Sequence, residues 1–455
     1  MTVASHRSAE EIGRTELGPR PLPALGEPRT GRAPDTVDTV LGSGLRVIAA
    51  RHGAVPMVEL RLRIPFAGSD PSHPARSEVL AETLLTGTAR RSRVDVDTDL
   101  AAVGGELRTV VDPERLSISG EALASGSDTL LDVLNDALTG AAYGEQEVAG
   151  ERDRLVERIA VARSQPRVIA REELQRHRYG DHPFVREVPE AADVAQVTAE
   201  QVRALHREAV LPRGAVLVLV GDLDPERAVA DVARILGDWT SEAAAGELPS
   251  LPGVRAGDLQ LVHREGAVQS QLRLSAQALP RTDARYPALQ IANYVFGGFF
   301  SSRLVENIRE DKGYTYGAHS AFEFTRGNGT LLVDADTASE VTAAALLEAR
   351  YELGRLALVP PSVAEVESAR QYAIGSLLTS TSSQAGLAST LVGLASVGLS
   401  HDWLSEHPGR LREVTGEQVA EAARFFAPTR FTGVIVGDAE RLGEPLRDLG
   451  GVVLP

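Results

Sequence analysis

The chain of 455 residues contains no cysteine at all. That absence excludes a disulfide framework, cysteine-ligated zinc or iron–sulfur centres and thiol catalysis. Nothing in it calls for an oxidising compartment, and a cytoplasmic location is expected. Also missing is any stretch approaching the roughly 18 apolar residues of a membrane-spanning helix. Positive charge is in deficit: 47 Lys and Arg against 63 Asp and Glu leave a formal net charge of −16. Such a balance argues against nonspecific nucleic-acid binding, which needs cations to neutralise phosphates. A solvated acidic surface accounts for the charge, and basic peptides are compatible with it. Of the ten histidines, no two stand four residues apart, and His401 and His407 are too widely spaced for one helical face. The chain therefore lacks the His pair of a helical zinc site.

What is present reads as a duplication. Val197-Thr198-Ala199-Glu200-Gln201-Val202 leads into Val216–Asp222, and Val414-Thr415-Gly416-Glu417-Gln418-Val419 leads into Gly433–Asp438. Each block predicts a Thr-capped helix with Gln three residues on, followed by a buried strand ending in Gly-Asp. Leu60-Arg61-Leu62 and Leu272-Arg273-Leu274 repeat at an offset of 212, close to the 217 of the Thr pair. Ordered matches at nearly one spacing are the mark of an internal repeat.

Within the first half, Leu45–Ala50, Met57–Ile64 and Arg115–Ala122 predict strands. Ser77–Thr86, Val94–Val103, Gly126–Gly140 and Gln146–Ser164 predict helices. The expected fold is α/β, of an α+β sandwich-like kind. Each of two homologous domains would pack a mixed β-sheet against a layer of helices. The expected division is an extended or disordered arm at 1–34, a domain at 35–240, a linker at 241–258 and a second domain at 259–455. The linker is placed where Ser, Ala and Glu cluster with Pro and Gly and no periodicity remains. The arm is polar and rich in Pro, Gly and Arg, without the apolar core of a signal peptide, and carries Glu10 and Glu11, which transit peptides avoid.

Several motifs, taken in order, carry a resemblance. They are Gly44-Leu45-Arg46-Val47, the helix closing on Gly87-Thr88, Gly104-Gly105, Glu151-Arg152-Asp153, Asp181-His182-Pro183-Phe184 and Val220-Gly221-Asp222. The most specific lies in the second half: Phe296-Gly297-Gly298-Phe299-Phe300-Ser301-Ser302-Arg303-Leu304, then Ile308-Arg309-Glu310-Asp311-Lys312-Gly313-Tyr314-Thr315-Tyr316. The chain resembles the pitrilysin/insulinase-like metallopeptidases, the inverted zincins with an H-x-x-E-H helix.

The resemblance places the family's first His on Glu78, its general base on Ala81, its second His on Glu82 and its third ligand, a Glu, on Arg158. All four differ, and an Arg where a carboxylate should meet zinc opposes metal binding. On residue type alone, Glu78 and Glu82 are either neighbours on one helical face, solvated or paired with Arg, or a carboxylate pair for a hard cation. The Asn-Ala pair that aligns substrate on the family's edge strand falls on Arg108 and Thr109. The Arg and Tyr that bind substrate from the second domain are retained as Arg309 and Tyr316. Residue type alone leaves a helix-capping Arg and a strand-packed Tyr as the other account of that pair. Tyr314 and His319 flank it, and Thr379–Gln384 reads as a hydroxyl-rich capping loop or a backbone-binding tract.

The resemblance thus implies a noncatalytic subunit of the bacterial two-chain type, without a cofactor of its own. It would supply half of a peptide-binding chamber, with Arg309 and Tyr316, to a homologous partner that carries zinc. The long glycine-rich insertion of mitochondrial noncatalytic subunits is missing near Gly297-Gly298, which favours the shorter bacterial type. A structural scaffold like the peptidase-derived core subunits of respiratory complexes, or a homodimeric peptide-binding protein, are the alternatives. Neither nucleic acid nor membrane is an expected partner.

Overall fold

Along Met57–Pro65 the side chains of Val58, Leu60, Leu62 and Ile64 are buried together, while Arg61 and Arg63 point to the opposite face. The same alternation holds along Gln269–Ala278, where Leu272, Leu274 and Ala276 enter a second core and Arg273 points away from it. These repeated strands are central in two equivalent sheets. The structure, a computed structural model, describes residues 34–325 and 327–455. The expected arm at 1–34 lies outside the described residues, apart from Pro34.

The first sheet contains Thr36–Val40 (β1), Arg46–Arg51 (β2), Met57–Pro65 (β3), Glu106–Val111 (β4), Arg115–Leu123 (β5) and Val216–Gly221 (β6). Its order is β1-β2-β6-β3-β5-β4, with only β2 and β6 parallel. The second contains Leu259–His263 (β7), Gln269–Ala278 (β8), Thr315–Thr325 (β9), Asn328–Ala338 (β10), Phe431–Gly437 (β11) and Val452–Val453 (β12). Its order, β12-β7-β11-β8-β10-β9, repeats the first from β2 to β4, while the outer β12 comes last in the chain and lies parallel to β7 where β1 is antiparallel to β2. Strands β4 and β9 occupy the same edge of their sheets, and each has a neighbour on one side only.

The helices of the first half are His73–Thr83 (α1), Arg93–Ala102 (α2), Ser127–Gly140 (α3), Glu145–Arg163 (α4), Pro166–Tyr179 (α5), Ala191–Val194 (α6), Ala199–Ala209 (α7) and Pro225–Ile235 (α8). Those of the second are Tyr286–Asn293 (α9), Arg303–Val305 (α10), Thr342–Leu358 (α11), Val363–Ser380 (α12), Gln384–Ser396 (α13), Trp403–Glu413 (α14), Gly416–Ala422 (α15) and Ala439–Leu449 (α16). Both predicted capping boxes form: the Thr198 and Thr415 hydroxyls accept from the backbone N–H of Gln201 and Gln418, whose side chains accept in return. The helix predicted from Ser77 begins four residues earlier, at His73, with Pro74 in its first turn. Proline is tolerated there because the N–H it lacks has no helical partner to bond.

One helix of each half crosses to the other. Leu391, Leu387 and Val392 of α13 pack on Ile48, Val216, Val218 and Val220 of the first sheet. Ala170 and Leu174 of α5 pack on Val434 and Val436 of the second. The two helices begin 218 positions apart, at Pro166 and Gln384, so they are the same element of the repeat. Polar contacts fix each: Gln384 Nε2 donates to the carbonyls of His52 (2.6 Å) and Val55 (3.0 Å). Opposite it, Arg178 Nη1 reaches Glu323 at 2.8 Å. Residues 34–455 accordingly form one compact unit.

Candidate functional site

Two clusters hold the side chains singled out from the sequence. The first lies between α1, α4 and the edge strand β4. Val79, Leu80 and Ala81 of α1 enter the first core, which leaves Glu78 and Glu82 one turn apart on the flank that meets α4. Arg158 projects from α4, and its Nη2 lies 2.6 Å from Glu82 Oε1. Burial raises the Glu78 carboxyl to about 7; Glu82 and Glu187 push the same way and Arg158 opposes them. The three side chains thus share one site, in which a guanidinium supplies the positive charge. The base position, Ala81, is apolar and buried, and its carbonyl accepts a hydrogen bond from the Thr109 hydroxyl of β4. Arg108 lies on the outer face of β4, paired with Glu106 at 2.9 Å.

These residues do not fit a zinc ion. The imidazoles are replaced, the third position is cationic, and one carboxylate is already paired. Among the described residues no group of three or more His, Asp or Glu is placed to hold a metal. Arg158 is half exposed, so the pair contributes no more than about 1 kcal/mol. Arg158→Ala is therefore expected to cost about that or less in a urea unfolding curve. It would also move the Glu78 titration, followed by carboxyl carbon NMR, further upward.

The second cluster lies beside the edge strand β9. The chain between α9 and β9 is helical but widens into π-helical turns at Tyr294–Gly298 and Glu306–Asp311. Such turns are uncommon and concentrate at functional sites. Gly297 allows the first to sit against β9, since a Cβ there would meet Ser320 Oγ at 2.9 Å and Leu304 at 3.1 Å. Buried Arg303 fastens the segment to α12: its Nε and Nη2 donate to the two oxygens of Glu365 at 2.5 and 3.0 Å. Those bonds hold the Glu365 carboxyl down to about 2.

Arg309 stays on the surface. Its guanidinium lies 4.9 Å from the centre of the exposed Phe300 ring. Its carbonyl accepts from the N–H of Gly313, which adopts a positive φ of 65° as the helix ends. Tyr314 packs against the second core. Between Thr315 and Ala318, β9 has two residues, Tyr316 and Gly317, where β10 has only Asp336. This bulge, tied by the Thr315 hydroxyl to the carbonyls of Gly317 and Asp336, turns Tyr316 outward until it is 99% exposed. A Tyr packed on its strand, one of the two accounts open from the sequence, is not what forms. His319 faces Asp334 at 3.5 Å.

The structure therefore brings Glu78, Glu82 and Arg158 together, and places Arg309 on the π-helical turn before β9 and Tyr316 on the bulge of that edge strand. Among the described residues no hydrogen bond or ion pair joins the two groups. Thr379–Gln384 spans the end of α12, a three-residue turn and the start of α13, where the N-cap Ser383 accepts from the Gly386 N–H. The sequence reading missed Arg303, although an Arg with an N3 Glu in a later capping box was there to be seen.

Two duplicated sheets with equivalent open edges, flanked by helices and locked by an exchanged pair, define the class of scaffold. Two family models match in succession: "Insulinase (Peptidase family M16)" over residues 77–190 and "Peptidase M16 inactive domain" over residues 196–372. The chain belongs to the pitrilysin/insulinase-like family of metallopeptidases, M16. An uncharacterized zinc protease of Mycobacterium tuberculosis is 27% identical over 92% of this chain and 96% of its own. One from Streptomyces coelicolor is 28% identical, over 64% of each chain. In fold, the chain is similar to the crystal structure of a peptidase M16 inactive domain from Pseudomonas fluorescens. The TM-score is 0.80 at 20% identity, over 89% of this chain and 98% of that one.

Proposed function

We propose that the chain is the noncatalytic, zinc-free subunit of a heterodimeric zinc peptidase. In this reading it supplies half of a peptide-binding chamber, and Arg309 and Tyr316 act on substrate held at the zinc of a homologous partner. The observation that carries the reading is the contrast between the two equivalent edges. Beside β4, Arg158 pairs Glu82 and Thr109 bonds the Ala81 carbonyl. Beside β9 a bulge adds a residue that holds Tyr316 fully in solvent, and Arg309, on the π-helical turn before the strand, pairs with the exposed Glu310 at 3.5 Å.

The chemistry is that of an extended peptide laid along an open strand. The unpaired N–H and C=O groups of β9 can pair with its backbone. The Arg309 fork can donate to peptide carbonyls, and the Tyr316 hydroxyl can donate to an oxygen that gains charge as the peptide bond is attacked. The net charge of −16 is compatible with basic peptides.

The test is reconstitution. Copurification with an H-x-x-E-H chain of similar size, and zinc-dependent peptide cleavage only by the mixture, are expected. Arg309→Ala and Tyr316→Phe should each lower kcat/KM of the mixture by about tenfold or more while zinc content and assembly stay unchanged. Stoichiometric zinc on this chain alone, or unchanged activity of both variants, would overturn the reading.

A further inference from the structure

A second feature lies wholly within the second half, at the opposite end of β9 from Tyr316. A cavity of about 590 Å³ opens between the loop before α9, helix α14 and helix α15. That volume is in the range of small-molecule sites. Its lining includes Arg281, Tyr286, Trp403, His407 and Phe425, an unusual density in a chain with 4% aromatic residues.

The aromatic lining is ordered. The His407 ring stacks on Trp403 with centroids 3.9 Å apart and lies near-parallel to Tyr286 at 5.9 Å. Arg281 sits over Phe324 at 4.5 Å, with Trp403 at 5.7 Å and Tyr286 at 6.0 Å. Two polar requirements are left open there. Among the described residues no carboxylate pairs with Arg281, and its Nε is buried without a hydrogen-bond partner. His407 is 1% exposed; its Nε2 meets Gln290 Oε1 at 2.7 Å, while Nδ1 has no partner. With Nε2–H donating to the amide oxygen, Nδ1 is left as an acceptor. Burial, then Arg281 and Arg410, lowers this imidazole to about 3, so it stays neutral across the physiological range.

Three carboxylates, Asp283, Glu413 and Glu421, also line the cavity, and among the described residues none pairs with Arg281. Asp283 is occupied by Arg285 through two contacts of 3.0 and 2.8 Å, and Arg410 is paired outward with Glu406. The inner end is a cation bedded in aromatic faces beside an unmet acceptor. Arg281 as a whole is half-buried, with its Nε covered, and a covered polar atom without a partner is costly.

We propose that this cavity binds a small planar aromatic anion: its ring stacks within the Tyr286–Trp403–Phe425 lining and its carboxylate meets Arg281. The proposal is independent of the peptidase reading.

Phenylacetate and its neutral amide, titrated into the full chain by calorimetry and by tryptophan fluorescence, test it. Trp403 is one of only two tryptophans, and the other, Trp239, is buried in the first core. The expected result is saturable one-to-one binding of the acid at micromolar levels with quenched fluorescence, and about tenfold weaker binding of the amide. Arg281→Gln should bring acid and amide to equal affinity, a loss of preference that misfolding would not produce. Trp403→Phe should remove the quench while calorimetric binding of the acid persists. No saturable binding of the acid, or equal binding of acid and amide by the unaltered chain, would overturn the proposal.

Discussion

Glu78→Gln is expected to stabilise the chain near pH 8 by about 3 kcal/mol and to leave it almost unchanged near pH 4. The folded chain holds this carboxyl at about 7, against a reference of 4.5. Between those values the folded state keeps a proton that the unfolded chain has released. Stability is therefore complete below about pH 4.5, falls as pH rises, and has lost the full contribution above about pH 7. The cause is burial first and the neighbouring Glu82 second, with Arg158 too exposed to cancel both. Glutamine keeps the shape and carries no charge, so its advantage grows through that window and nowhere else. Urea midpoints of both proteins across the pH range measure it. Parallel curves would show that Glu78 ionises freely and that Arg158 neutralises the site outright.

The repeat was legible because its signals are local. A Thr followed by Gln at the third position specifies a cap through two hydrogen bonds within one turn, and both caps form as read. The burial of Leu60 and Leu62, and of Leu272 and Leu274, likewise follows from alternation alone. The family pattern located Glu78, Glu82 and Arg158, and opposite charge gave reason to expect a pair. What it could not give was the raised carboxyl, which depends on how deeply α1 is covered. The bulge at Tyr316 was hidden for another reason: one extra residue in an edge strand has no signature beyond Gly317. The π-helical turns around Gly297 and Arg309 were equally silent. The aromatic cavity joins Arg281, Tyr286 and Trp403 across more than a hundred residues, a distance at which no spacing rule operates.

The exchange of α5 and α13 leads to the other large effect. Leu391→Ala is expected to cost about 2–5 kcal/mol, the range for emptying a buried leucine site. Leu391 is 2% exposed and its neighbours are Ile48, Val216, Val218 and Val220. These belong to the first sheet, although Leu391 follows the whole of the second sheet except β11 and β12 in the chain. The damage should therefore appear in the other half: amide exchange at Val216–Gly221 should quicken more than at Phe431–Gly437. Leu174→Ala makes the reciprocal change. It should loosen Phe431–Gly437 instead, at the lower end of the same range, because its apolar cluster on the second sheet is smaller. Around it the contact is polar, through Arg178 with Glu323 and His177 with the Thr432 hydroxyl at 2.6 Å. Those bonds hold α5 in place after the leucine is cut back, whereas α13 relies on its apolar face, aided by Gln384 and by Arg63, whose Nη1 lies 2.9 Å from Ser396 Oγ. If each mutation instead loosened the sheet of its own half, the two helices would not be exchanged and the halves would stand as separate folding units.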